Sequence, residues 1–326
     1  TANCKKKMKT IAPIILIALL LNHCHLDNSN EINLEYSPSK AELFAEGYVS
    51  TNLYERDIAI SPKGDEIIFT LCDYKQLKRC LVRIEKRGNQ WSNKEVLSFS
   101  GKYSDIEPCY SVTGNELFFA SDRPLELDST RSDYNIWVSK KTSNGWSEPE
   151  SLQSNINSKM DEFFPSVTKN GNLYFTSVRE NGIGNEDIFV SKFINGKYTD
   201  PEPLDSNING PTYEFNAYIN PEEDLIIFSS FGRRDDLGGG DLYYSRKNTN
   251  GFWTTAVNMG SDINSNKLDY CPFIDISRGN FYFTSERILS VDKRLENVSE
   301  LEALANNVLN GMGNIFRVHL DTNKLK

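Results

Sequence analysis

Short apolar runs of four to seven residues, rich in Phe, Tyr, Ile and Val and broken by Gly, Asn and Asp, recur along almost the whole chain. Runs of that length and composition between turn formers predict β-strands. The unit is clearest from Asp161 to Lys192. The acid Glu162 leads a run ending at Val167. A turn at Asn170-Gly171, an aromatic run from Leu173 to Phe175, Thr176-Ser177-x-Arg179, a Gly/Asn-rich loop and Asp187 to Ser191 follow in order. Tyr198 to Leu204 closes the period. The leading acid returns at Glu55, Asp105, Glu162, Glu214 and Asp269, in steps of 50, 57, 52 and 55 residues. The second runs are EIIFT, ELFFAS, NLYFTS, LIIFSS and NFYFTS, the third CLVR, NIWVS, DIFVS, DLYYS and NIFRV, and the fourth begin at Trp91, Trp146, Tyr198 or Trp253. Four strands at this period predict a propeller blade, and five copies predict five blades.

The two ends of the repeat answer each other. Ala41 to Thr51 reads as an orphan strand, while the last blade has Tyr270 to Ile276, Asn280 to Thr284 and Asn314 to Leu320 but no fourth strand. The expected fold is therefore all-β: a five-bladed β-propeller of four-stranded antiparallel blades, closed by an N-terminal strand that leaves no frayed edge. One helical insertion falls in the last blade, at Asp292 to Asn310. There Leu295, Val298, Leu301, Leu304, Ala305 and Val308 recur at helical spacing and Gly311 stands as C-cap. Its apolar stripe is expected to pack on the blade below, a partner-binding helix being the alternative.

Ahead of the repeat, Lys5 to Lys9 followed by Ile11 to Leu21 has the form of a secretory signal peptide, too short to span a bilayer. Leu21-Asn22-His23-Cys24 resembles the lipobox of bacterial lipoproteins, although His23 stands where a small residue is usual. The resemblance implies lipidation at Cys24, the alternative being an ordinary signal peptide with an incidental cysteine. The expected division is a leader over 1–23, a flexible tether over 24–39 and the propeller over 40–326. An exported protein of the periplasm or outer membrane follows, touching the membrane only through its lipid.

Composition removes several partners. The net charge is −9, and residues 1–23 hold four lysines and no acid, so the remainder carries −13. Nucleic acid and anionic lipid surfaces are poor partners for such a body. The histidines are His23, His25 and His319. A Ser-His-Asp or Cys-His centre and a Cys/His metal site are thereby excluded from the repeats. Gly238-Gly239-Gly240 precedes a strand rather than a helix, so it is no phosphate loop. Calcium at Asp235, Asp236 and Asp241 is a weak candidate; otherwise no metal or cofactor is expected. Cys72 and Cys80 flank one hairpin loop and are a candidate disulfide, whereas Cys109 and Cys271 read as buried thiols near the axis.

The acid-x-x-Pro opening (Asp105 to Pro108, Glu162 to Pro165, Asp269 to Pro272), the Ser-x-x-Gly turn (Ser61 to Gly64, Ser111 to Gly114) and Ser177-x-Arg179 with Asp187 to Phe189 resemble the WD-type repeats of TolB-like bacterial β-propellers. The resemblance runs from about residue 40 to the end, and the first blade departs from it with Leu71-Cys72-Asp73. It implies a propeller, and a role ranging from protein-binding module to peptidase lid to sugar-active domain.

Strand one of each blade should line the central channel, and the longer loops, including Arg123 to Tyr134 and Gly232 to Gly240, should gather on one face, the candidate binding face. Glu55, Asp105, Glu162, Glu214 and Asp269 should circle the channel mouth there, with Asp57, Glu107, Phe164, Asn216 and Cys271 deeper. Like charges so placed call for cations, and Arg123, Arg179, Arg233 and Arg287 are the natural partners. The circle admits two readings, a blade-to-blade latch or a seat for a cation, amine or sugar. A glycoside hydrolase would cast Asp57 and Glu107, with Asp105 or Asp269, as its acid and base or nucleophile. The favoured expectation is a non-catalytic, monomeric scaffold of the cell envelope that recognises a protein or glycan partner on the long-loop face.

Overall fold

Each predicted period forms a small antiparallel sheet, and five of them stand radially around one axis. The computed structural model describes residues 32–125, 132–289 and 294–325; the predicted leader and Cys24 lie outside them. The innermost strands are Tyr54–Ile60, Asp105–Tyr110, Glu162–Val167, Tyr213–Ile219 and Asp269–Asp275, each touching the next and the last touching the first. The second strands, Glu66–Cys72, Glu116–Ser121, Leu173–Ser177, Leu225–Phe231 and Asn280–Ser285, are buried on both faces because a blade has neighbours on both sides. That is why their sequences are nearly unbroken apolar runs instead of alternating ones.

The core is divided among the blade interfaces. One apolar cluster joins Ile68, Leu81 and Leu97 to Leu117, Phe119 and Trp137 between blades one and two. Comparable clusters fill the remaining boundaries, and the fifth joins Ile58, Phe69 and Ile84 to Tyr282 and Ile315 across the seam between blades five and one.

The seam is closed as expected, by a shorter strand. Glu42–Leu43 pairs antiparallel with Asn314–His319, with Glu42 opposite Arg317 and Leu43 opposite Phe316. Phe44 N–H then donates to Ile315 O at 2.8 Å before Ala45, at φ 46°, turns the chain away. The segment expected to be a flexible tether is also packed from Ile32 onward. Ile32 and Leu34 are buried, Trp91 Nε1 donates to Ile32 O at 2.8 Å, and Arg317 Nη1 to Asn33 O at 2.7 Å. Two apolar side chains in a polar stretch suffice to anchor it.

Three other expectations are corrected. The fourth strands begin at Trp91 and Trp146 as expected but are broken into two-residue pieces, Gln90–Trp91 then Glu95–Val96 and Gly145–Trp146 then Glu150–Ser151. In later blades they shrink to Glu202–Pro203 and Val257–Asn258; Trp91, Trp146 and Trp253 are buried. The helix covers Val298–Ala305, capped by Asn297 and Asn306 rather than Gly311, and none of its residues is buried, so the stripe does not pack on the blade below. Residues 292 and 293 of the predicted helix lie outside the described residues. Cys72 and Cys80 are free thiols: Leu71 stands opposite Cys80 and Cys72 opposite Arg79, which sends the two sulfurs to opposite faces of the hairpin.

Phe44 is 1% exposed and meets Tyr282 edge to face at 5.0 Å. Replacing it with alanine should cost about 3–5 kcal/mol in urea unfolding, the range of a fully buried aromatic lost from a core.

Candidate functional site

The five leading acids are not displayed around a mouth. Each is 0% exposed, one at every blade boundary, and clipped to the loop four or five residues upstream. Glu162 accepts Ser158 N–H at 3.0 Å and Ser158 Oγ–H at 2.5 Å. Glu214 takes Gly210 N–H at 2.6 Å, Asp269 takes Ser265 N–H and Oγ–H at 2.5 and 2.7 Å, and Asp105 takes Ser100 Oγ–H at 2.7 Å. Four also receive the arginine that follows strand two of their own blade: Arg123 to Asp105 at 2.5 Å, Arg179 to Glu162 at 2.9 Å, Arg233 to Glu214 at 3.0 Å and Arg287 to Asp269 at 3.3 Å.

Each arginine makes two further contacts. It lies over the rings of strands two and three of its blade, Arg179 for example 5.1 Å from Phe175 and 5.6 Å from Phe189. It also donates to a carbonyl of the preceding loop: Phe99 for Arg123, Ile156 for Arg179, Ile208 for Arg233 and Ile263 for Arg287. The first blade has Asp73 in place of the arginine, and Glu55 is held by the N–H and hydroxyl of Thr51, with the charge of Lys94 nearby.

A partner to these latches escaped the sequence reading. Asn157, Asn209 and Asn264, each five residues before the leading acid, are buried and clamp both backbone groups of the second residue of strand three. Asn157 accepts Ile136 N–H at 2.9 Å and donates to Ile136 O at 2.9 Å; Asn209 does the same to Ile188 and Asn264 to Leu242. The signal was present as Ser-Asn-Ile-Asn, Ser-Asn-Ile-Asn and Ser-Asp-Ile-Asn at residues 154, 206 and 261.

At the axis the deeper positions share an unusual backbone. Asp57, Glu107, Phe164, Asn216 and Cys271 all have φ between 49 and 61°, at the point where each innermost strand slips register. For a side-chain-bearing residue this left-handed conformation costs roughly 1–2 kcal/mol. Compensation comes from the preceding blade, because the freed N–H of Asp57, Glu107 and Asn216 donates to the hydroxyl of Thr284, Thr70 and Thr176. In blade three the equivalent hydroxyl is missing, since Ala120 occupies the place, and Phe164 N–H donates to Glu107 Oε2 at 2.7 Å instead.

Glu107 is thus drawn into a buried axial cluster built on Arg56, a residue the sequence reading did not single out. Arg56 Nε reaches Asp57 at 2.7 Å, its Nη2 reaches Glu107 Oε1 at 2.7 Å, and the guanidinium lies 5.0 Å from the Tyr270 ring. Asn216 Nδ2 donates to the same Glu107 oxygen at 3.1 Å. Burial pushes the Glu107 carboxyl up to about 7 against the pull of Arg56, and pushes Glu162 up to about 7 against Ser158 and Arg179.

Beyond this cluster a cavity of about 260 Å³ follows the axis, lined by Ile58, Tyr110, Val167, Tyr218, Ile274 and their neighbours with Glu107 among them. Its walls are the far ends of the innermost strands, so it opens among the short turns, on the side opposite the long loops. The candidate calcium residues are otherwise engaged. Asp235 accepts Tyr243 O–H, Asp236 accepts Gly232 and Gly238 N–H, and Asp241 accepts Leu237 N–H and Asn258 Nδ2–H. Among the described residues no group of three or more His, Cys, Asp or Glu is placed to hold a metal ion.

Fold and latches together define a five-bladed β-propeller whose repeat-equivalent carboxylates are satisfied from within. No protein-family model matches the chain, and no curated protein does. Among solved structures it is similar to a GH43 β-xylosidase/α-arabinofuranosidase from a compost microbial metagenome, with TM-score 0.51, 9% identity, and 87% of this chain and 96% of that one covered. It is also similar to a putative TolB from Agrobacterium tumefaciens, at TM-score 0.46 and 16% identity over 77% of this chain and 78% of that one. TolB from Acinetobacter baumannii gives TM-score 0.42 and 13% identity, with 70% of this chain and 50% of that one covered. Identities this low speak to the fold alone.

Two outcomes follow. Arg179→Met leaves Glu162 buried without its cation and should cost about 3–5 kcal/mol in urea unfolding. Because Glu107 and Glu162 bind protons more tightly folded than at their ordinary value of 4.5, the folded chain holds more protons between pH 4.5 and about 7. Their contribution is therefore greatest below that window and is lost as pH rises through it. Urea midpoints should fall from pH 5 to pH 8, and Glu107→Gln should flatten the slope.

Proposed function

We propose that this chain is a non-catalytic binding propeller of the cell envelope that docks a partner, a protein in preference to a glycan, on its long-loop face. The observation that carries the reading is where the exposed large apolar side chains lie. Most of them, among them Leu77 (72% exposed), Val298 (70%), Leu301 (55%), Ile288 (51%), Phe231 (47%) and Tyr213 (40%), belong to loops or strand ends of that face, while a smaller set, Phe252, Ile194, Ile276, Phe193 and Val112, lies on the short-turn side. A preponderance of exposed apolar side chains on one face supports a docking surface there. The helix contributes Val298 and Leu301 to it, which gives its unpacked stripe a purpose. The basic and apolar leader at residues 5–21 supports an envelope location.

The hydrolase alternative is weakened at the axis. Asp57 and Glu107 are the carboxylates such an enzyme would use, and both are bound to the single guanidinium of Arg56, at 2.7 Å each. A glycosidase keeps its two carboxyl groups free on either side of the scissile bond; here the guanidinium occupies that position.

The mature domain used as bait in an envelope extract tests the reading. Phe231→Asp combined with Leu301→Glu should abolish capture, whereas Phe252→Asp, on the short-turn side, should leave it intact. Capture equal in both variants, or turnover of aryl xylosides or arabinofuranosides that disappears in Glu107→Gln, would refute it.

A further inference from the structure

The first blade, which breaks the repeat at Leu71-Cys72-Asp73, also carries a broad hollow on the long-loop face. With the arginine replaced by Asp73, the loop after strand two folds around that carboxylate instead: Asp73 accepts the N–H groups of Lys75, Leu77 and Lys78, at 2.7, 3.3 and 2.8 Å. Leu77 and Lys78 are thereby held outward. Between this loop and the loop leading into blade two lies a hollow of about 640 Å³.

Its lining joins apolar walls to free positive charge. Leu53, Leu77 and Val96 form the apolar side, and Lys78, Arg79 and Lys102 bring three cations. Neither lysine has an ion-pair partner among the described residues, and Arg79 spends its Nε and Nη1 on Gln76 O and Tyr134 Oη, which leaves Nη2 for a ligand. The two acids in the lining accept backbone N–H groups, Asp73 as above and Asp122 from Ser104 at 2.8 Å, and keep their charge. The lining thus carries three cations against two carboxylates, a small positive excess on a chain of net charge −9. Tyr103 is the aromatic ring in the lining, and Lys102 at 4.9 Å and Arg123 at 5.5 Å already lie over it, which disfavours a stacked sugar.

We infer that this hollow receives an extended acidic segment of a protein partner. A carboxylate sits among Lys78, Lys102 and Arg79, and an adjacent apolar side chain packs against Leu53 and Leu77. The inference rests on the long-loop face being the docking face, and names the chemistry of what it takes.

A dye-labelled octapeptide alternating Glu and Leu, titrated with the full chain and followed by fluorescence anisotropy, is the direct probe. It should bind. Lys78→Glu with Lys102→Glu should weaken it at least tenfold with an unchanged melting midpoint, since both side chains are exposed, and Lys78→Arg with Lys102→Arg should restore it. Equal binding of the matching Lys/Leu octapeptide, binding unaffected by the charge reversal, or polygalacturonate bound in preference to the peptide would overturn the inference. Absence of peptide binding would overturn it too. In that case envelope capture still lost in the Phe231→Asp, Leu301→Glu variant would show that the face stands and only this hollow was misread.

Discussion

A buried carboxylate at each blade boundary is the interaction on which this molecule depends. Taking a charge out of water is expensive, and it is tolerated here because every acid is met by donors from the loop behind it and, in four blades, by an arginine from its own sheet. Those donors belong to two different blades, so the acid cannot be satisfied unless the blades are seated. The apolar clusters supply most of the attraction, but they are nearly interchangeable greasy faces. The latches supply register, since a blade shifted along the axis would strand a charge.

At the axis the same logic appears in a less regular form. Five left-handed residues bend the innermost strands, and in three blades a threonine hydroxyl of the previous blade receives the freed N–H. Ala120 breaks that series, and Glu107 steps in, bringing Arg56 and Asp57 with it. The missing hydroxyl thus accounts for where Glu107 reaches, while Asp57 is held by Arg56. The charge cluster borders the apolar cavity, which opens among the short turns.

Much of this was legible in the chain. A period of 50 to 57 residues, apolar second strands and an acid followed by an arginine state the blade, the count and the latch pair; the missing fourth strand of the last blade states the closure. What was not legible depended on which neighbour a residue meets. Asn157, Asn209 and Asn264 repeat visibly, yet an asparagine in a polar loop looks like a turn former until its amide is seen closing on strand three. Arg56 is unique to the first blade, so no repeat marks it. The helix illustrates the opposite error: helical spacing of Leu and Val was taken to mean packing, whereas periodicity fixes only which side is apolar and not what covers it. The cysteine pair failed for a simpler reason, since two positions one step out of register on a hairpin face away from each other.

The closing strand has a consequence for how the protein comes into being. Phe44 and Ser50 find their place only against Ile315, and Ser50 lies 265 residues away from it along the chain. During synthesis the earliest part of the body must therefore wait, unpaired, until almost all the rest has been made. Non-local pairing of this kind slows folding and leaves edges exposed meanwhile. The ring has no means of shutting before its far end arrives.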